Sequence, residues 1–303
     1  MATSLTIREP KPSAYEPPEL FGLSSKASPM IKILRLLMGN IIVHDKIGGT
    51  TSQNFENETR FGEVRSRKPN RYFNYLIDES EQSGVLNQEK FEQIISNSKN
   101  MNYKFFETLA AELSHCIYAK KKGRYTESFL YFYRILEFSA ISFPLIFVRN
   151  EGDFVKSHKF IKSLVQNDRD GDLKIFAQFI PHIAKVGGYE PEKFSLKFDG
   201  VDVAYARACH DQLEKQKTGT LIKNVEFQGP DFDYEIIVPF LEMHYLIVTV
   251  RNRMFHFRQG EENLSLGEFG GSEVICKMIM NEAIHWFSKI YSEILRTLIK
   301  TST

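Results

Sequence analysis

Apolar positions recur every three or four residues over most of the chain beyond residue 80, the spacing of one helical face. Residues 87–96 carry Phe91, Ile94 and Ile95 in that register, and residues 102–119 carry Phe105, Leu109, Leu113, Cys116 and Ile117. Residues 120–124 break the pattern: Gly123 suits a helix C-terminus, and the lysines suit the negative end of its dipole. From Tyr125 to about Ile141 the stripe Tyr125, Phe129, Phe132, Tyr133, Leu136 and Ala140 predicts a helix that Pro144 kinks or ends. Weaker helical patterns cover 154–165, 173–186 and 201–216. The strongest C-terminal signals are 234–257 and 272–299. Gly260 and Gly270-Gly271 separate them, so an antiparallel helix pair is expected there. The connector at 217–230 holds a short strand candidate, 221–227.

The first third reads differently. Pro10, Pro12, Pro17 and Pro18 fall within residues 1–28, a density that removes amide donors and predicts an extended, Pro-rich N-terminal arm. A short helix follows at 30–38, with Ser28 as N-cap and Pro29 in the first helical position. Residues 45–75 lack a helical period and read as a loop with room for a short strand or two. Their basic cluster, Arg65, Arg67, Lys68 and Arg71 beside Tyr72 and Phe73, reads as a solvated surface before it reads as a nucleic-acid contact. The expected organisation is an arm and irregular segment over 1–78 and a mainly α, helical bundle over 79–303.

Composition changes this picture little. The 303 residues include 25 Phe and 13 Tyr, enough apolar surface for a real core, and exclude a disordered or collagenous chain. A formal net charge of +1 excludes a protein that coats nucleic acid through bulk charge, so any RNA contact must be local. Three dispersed cysteines, Cys116, Cys209 and Cys276, fit free thiols in a reducing compartment rather than a disulfide scaffold or zinc site. The N-terminus lacks a signal-peptide pattern. The best spanning candidate, 234–250, contains Glu235, Pro239, Glu242 and His244 and reads as a core helix. The expected location is cytoplasmic, with no membrane partner.

Common enzyme signatures are missing. There is no phosphate-binding Gly-x-x-x-x-Gly-Lys loop, no Gly-x-Gly-x-x-Gly turn, no His-Glu-x-x-His and no Gly-x-Ser-x-Gly. The acidic run at 167–172 puts Gln166 and Ala177 where a calcium loop needs carboxylates, so it reads as a turn. No cofactor and no metal are expected.

One constellation stands out. The almost wholly apolar stretch ending at Val250 is followed by Arg251, Asn252, Arg253, Met254, Phe255, His256, Phe257 and Arg258. A core-type helix whose last turns carry three arginines, an amide and an imidazole is unusual. The bland reading is that these cations favour a helix C-terminus, and His256 caps it. His244 and His285, on apolar faces, read as core histidines.

Arg251, four intervening residues and His256, with Asn252 in the polar slot, resembles the Arg-x4–6-His motif of the HEPN superfamily. No other Arg–His pair in the chain has that spacing. Tyr133-Arg134-Ile135-Leu136-Glu137 is similar to the aromatic and charged stretch of that family's earlier helix. The resemblance covers about residues 100–300 and implies an all-helical domain. It also implies a metal-independent endoribonuclease, in the setting of a toxin or anti-phage defence effector. The 2′-hydroxyl of RNA would attack the adjacent phosphorus, served by a group that titrates near neutrality and a fixed cation on the phosphate. Histidine and arginine suit those two tasks.

Arg251, Asn252 and His256 are therefore the expected catalytic set, and Arg253, Arg258, Arg134 and Glu137 the expected RNA-binding set. Glu137 reads equally well as a neutralising partner of Arg134 or Arg251. Asn252 and His256 share a helical face, so the amide is placed to orient the imidazole. Arg251 and His256 stand about 140° apart round the axis, so one helix converges them poorly unless Arg251 bends across or the helix distorts, and a second copy of the motif would help. The resemblance implies a homodimer with a composite site, RNA as substrate, and an inhibitor or antitoxin as a possible further partner. The rival reading is a non-catalytic helical interaction module, scaffold or antitoxin-like, in which Arg251 and His256 only cap and pair.

Overall fold

The computed structural model describes residues 5–10, 22–23, 27–39, 41–54, 56, 58–59, 95, 102–150, 153–165, 171–217, 224–255 and 272–300. The described part is mainly α, with eight α-helices and two small antiparallel sheets.

In the N-terminal third, β1 (Leu5–Arg8), β2 (Ile41–Asp45) and β3 (Thr51–Asn54) form a sheet in that order, with Leu5 opposite Asp45 and Ile42 opposite Gln53. The start of the expected arm is thus extended, but as a paired strand. Between β1 and β2 lies α1 (Pro29–Met38), whose Pro29 takes the first helical position and whose apolar residues are buried nearly all round. The Ser28 hydroxyl does not cap this helix. Buried Arg35 is paired with Glu9 at 2.6 and 2.8 Å.

The helical body begins with α2 (Tyr103–Lys121) and α3 (Tyr125–Asn150), a hairpin closed at Gly123, where φ is 72°. Of the two outcomes expected at Pro144, a kink or an end, the end does not occur: α3 runs through it to Asn150. Proline withholds one hydrogen bond at a cost near 3 kcal/mol, and the burial of Phe143 and Ile146 on both sides of it outweighs that loss. Then come α4 (Phe154–Leu164), α5 (Asp172–Gly187), β4 (Lys193–Leu196), α6 (Val203–Lys217), β5 (Glu226–Phe227), β6 (Ile236–Pro239), α7 (Met243–Phe255) and α8 (Ser272–Lys300).

The helix expected over 234–257 is corrected by the structure to a strand followed by a helix. Asp233 and Tyr234 turn the chain at φ 51° and 60°. The β-branched run Ile236-Ile237-Val238 pairs with β4, Phe194 opposite Val238, in a sheet ordered β4-β6-β5. Helical periodicity cannot resolve that choice, because the partner strand lies forty residues upstream.

Helix α8 is the axis of the core. It packs along α3 and against β4, α5, α7 and α1. Fully buried Trp286 donates its indole N–H to the Phe240 carbonyl at 3.0 Å, and the Tyr291 hydroxyl reaches the Met30 carbonyl at 3.0 Å. The N-terminal third is tied to the same core. Glu58 donates its backbone N–H to Leu37, its carbonyl meets His285 Nδ1 at 2.7 Å and Ser288 Oγ at 3.0 Å, and its carboxylate meets Lys120 Nζ at 2.7 Å. One hydrophobic cluster includes Leu5, Ile33 and Val43 together with residues of every major helix pair. The boundary expected at residue 78, the basic cluster at 65–73 and most of 87–96 lie outside the described residues.

Among the described residues one helix, Tyr125–Arg149, has the length and hydropathy to cross a membrane, and half of its most apolar window is buried in the body. The three cysteines form no disulfide and are buried, and burial pushes each thiol up to about 12. His244 and His285 are both buried, as core histidines.

Candidate functional site

Helix α7 starts in the core, where Met243, Leu246, Ile247 and Val250 are fully buried, and emerges at its C-terminal turn. Arg251, Asn252, Arg253 and Met254 are half-buried there, and Phe255 is exposed. The turn rests on α3: Phe255 stacks on Phe129 with ring centroids 6.4 Å apart.

Arg251 is held from two sides. Its guanidinium lies over the Tyr133 ring of α3, 4.6 Å from the centroid, and its Nη1 donates to Asn252 Oδ1 at 3.1 Å. Tyr133 in turn gives its hydroxyl hydrogen to the Glu137 carboxylate, one turn on along α3. Burial raises the Tyr133 hydroxyl above its usual value. Arg251 opposes this and Glu137 adds to it, so the phenol stays protonated. The result is a continuous line: carboxylate, phenol, guanidinium, amide. Among the described residues no carboxylate forms an ion pair with Arg251. A cation braced by a π face and a neutral amide keeps its full charge for an incoming anion.

The expected site residues are thus partly brought together. Arg251, Asn252 and Glu137 lie on one line, and Tyr133, which sequence reasoning quoted only as part of a stretch, is its centre. Arg253 is half-buried beside them. Arg134 turns the other way, across to α2, where its Nη2 meets Glu112 at 2.7 Å. Glu137 pairs with neither arginine among the described residues. His256 and Arg258 lie outside the described residues. The Asn252 carbonyl, expected to orient the imidazole, is taken up by Arg251.

Beside Arg134, α2 and α3 enclose a second polar group. The His115 ring stacks on Tyr131 at 5.0 Å, and one Glu112 oxygen is buried without a hydrogen-bond partner. Burial raises the Glu112 carboxyl, with Arg134 pulling it back, and lowers the His115 imidazole. Elsewhere a cleft of about 540 Å³ opens between β4 and α8, lined by Lys193, Ser195, Lys197, Asn281 and Glu282 among others. It includes none of the motif residues. Among the described residues the one convergence of metal-ligand types is His210, Asp211 and Glu214 on α6, with donor atoms within 4.8 Å of one another. Arg207 also reaches Asp211 there, at 3.7 Å. That group shares no residue with the Arg251 line.

Compared with known proteins, the chain matches no family model, no curated protein and no solved structure.

Proposed function

We propose that this chain is a metal-independent endoribonuclease of the HEPN type, acting in the cytoplasm as a toxin or anti-phage effector. The observation that carries the reading is the stack of Arg251 on Tyr133. It joins the two stretches on which the resemblance rests, 133–137 on α3 and the one that begins at Arg251 in the last turn of α7. It also leaves a fixed guanidinium at the surface end of a core helix, with no carboxylate paired to it among the described residues.

In the proposed reaction the ribose 2′-oxygen attacks the neighbouring phosphorus as the bond to the 5′-oxygen breaks. The products are a 2′,3′-cyclic phosphate and a free 5′-hydroxyl. Arg251 stabilises charge on the non-bridging oxygens, and His256 moves a proton. Arg253 and Arg258 hold flanking phosphates. Ideal helical spacing would put Arg251 and His256 about 140° apart, so in this reading the working site draws the complementary group from a second chain. Exposed Phe255, and Leu130 next to Phe129, provide apolar surface at this end for a homodimer.

The test is incubation of the purified chain with mixed RNA in EDTA, alongside Arg251→Ala and His256→Ala, with end-group analysis and sedimentation. Metal-free cleavage that leaves cyclic phosphate ends and is lost in both variants at unchanged melting temperature supports the reading. Intact RNA in every lane overturns it in favour of an interaction module, and full activity as a monomer overturns the composite site.

A further inference from the structure

Helix α4, Phe154-Val155-Lys156-Ser157-His158-Lys159-Phe160-Ile161-Lys162-Ser163-Leu164, contains no acidic residue. It is firmly built into the fold. Asp153 caps it, its carboxylate accepting from the N–H groups of Val155 and Lys156 at 2.8 and 3.1 Å. Phe160 packs against His182 and Phe179 of α5, with centroids 4.7 and 6.3 Å away, and Leu164 is buried. Phe160 and Leu164 therefore define the covered side.

At about 100° per residue, Phe154, Ile161 and Val165 fall on one line next to that covered side. They are 85 %, 44 % and 41 % exposed. The apolar arc of the helix is thus wider than the part the body covers. Lys159 and Lys162, both exposed, occupy the far arc with Val155, 59 % exposed, between them, whereas Lys156 lies about 40° from Phe160 at the edge of the covered side. Among the described residues Lys159 and Lys162 have no acidic partner. Val186, exposed one turn beyond His182 on α5, and its neighbour Lys185 extend the same mixture. Asp153 thus anchors the helix start while Phe154, beside it, stays exposed.

We infer that α4 is a membrane-surface helix that docks this chain onto anionic phospholipid. Charge complementarity selects the occupant. The partner must offer an apolar phase to Phe154, Ile161 and Val165 while supplying negative charge alongside to Lys159 and Lys162. A bilayer of acidic lipids does both at one depth, with the lysine stems reaching up to the headgroups. A second copy of α4 would set lysines against lysines, and a polynucleotide has no use for the aliphatic line. This is attachment to the surface, not a span, and needs no long apolar segment.

The test is flotation of the full chain with vesicles of phosphatidylcholine, with and without phosphatidylglycerol. Phe154→Ser/Ile161→Ser and Lys159→Gln/Lys162→Gln are compared with the parent, and all melting temperatures are measured. The variants replace exposed groups and are expected to melt with the parent. Binding to the acidic vesicles only, weakened at least about tenfold in both double variants, supports the inference. A Phe154→Trp chain should add a blue-shifted emission on those vesicles over the constant signal of buried Trp286. Failure to float with acidic vesicles overturns it. So does flotation that survives loss of Phe154 and Ile161, which would mean charge attraction alone. Capture of RNA or an acidic protein through the lysines without vesicle binding overturns it too.

Discussion

Arg251 and Tyr133 are 118 positions apart in the chain and meet face-on, the guanidinium carbon 4.6 Å from the ring centroid. Such a contact is worth about 0.5–2 kcal/mol, depending on how dry it is. Its larger consequence is orientation. The ring braces the guanidinium on one side, and Asn252 fixes one of its nitrogens.

That pairing predicts a graded series. Tyr133→Phe keeps the π face but releases Glu137, and should leave metal-free RNA cleavage within a few-fold of the parent. Tyr133→Leu removes the face and should lower cleavage much further. Arg251→Lys keeps the charge but loses the planar fork, and should cost about 10²–10³ in rate with little change in melting. Single-turnover cleavage beside thermal denaturation measures both. A Tyr133→Leu chain that folds and cuts like the parent would detach Arg251 from the chemistry.

The buried link between the N-terminal third and the helical body predicts a stability contrast. The Lys120 and Glu58 side chains are 9 % and 3 % exposed, while Glu56, the other partner of Lys120, is 46 % exposed. Burial works against the Lys120 charge, and the two carboxylates overcome it and raise its pKa. Glu58→Gln leaves a buried ammonium short of its main counter-charge, and should cost about 3–5 kcal/mol. Glu56→Gln, at the solvent edge, should cost less than about 1 kcal/mol. Urea denaturation of the two variants distinguishes a buried pair from surface decoration.

The contrast between what periodicity reveals and what it hides follows from the range of each interaction. Helices α2, α3, α5 and α8 were legible because each buries its own stripe. Pro144 does not end α3, because its local cost is overridden by burial of Phe143 and Ile146, which is a property of the assembled core. Strand β6 was hidden inside an apolar run, because only pairing with Lys193–Leu196 distinguishes it from helix. At the site, Arg251 and Asn252 were visible from spacing. Tyr133 was visible only as a member of a motif, since nothing local announces a ring that will receive a guanidinium from another helix. The turning of Arg134 towards Glu112 likewise depends on how α2 lies against α3.

The three cysteines give a simple chemical prediction. All are buried, and burial pushes their thiols up to about 12. Thiolate is therefore negligible at neutral pH. Ellman's reagent should label none of them in the native chain at pH 7.5 and three per chain in denaturant. Rapid native labelling of any one would mean that its helix opens.

His244 makes stability depend on acid. It is buried at the start of α7 against Phe176, its Nδ1 has no hydrogen-bond partner, and burial lowers its pKa to about 4 despite a bond to the Leu173 backbone. In the unfolded chain the same ring takes up its proton near pH 6.5. Between those values the unfolded state binds more protons, so stability rises with pH across the window. The contribution of His244 is complete above about pH 6.5 and is lost as pH falls towards 4, approaching roughly 3 kcal/mol. His115 and His182, also lowered by burial, act in the same direction. His244→Phe keeps the ring packing and removes the proton, so its unfolding free energy should fall less steeply than that of the parent between pH 6.5 and 4.5. Urea midpoints measured at several pH values in that interval give the two slopes. Equal slopes would mean that His244 is protonated within the fold, paired with an acceptor that its buried surroundings do not show.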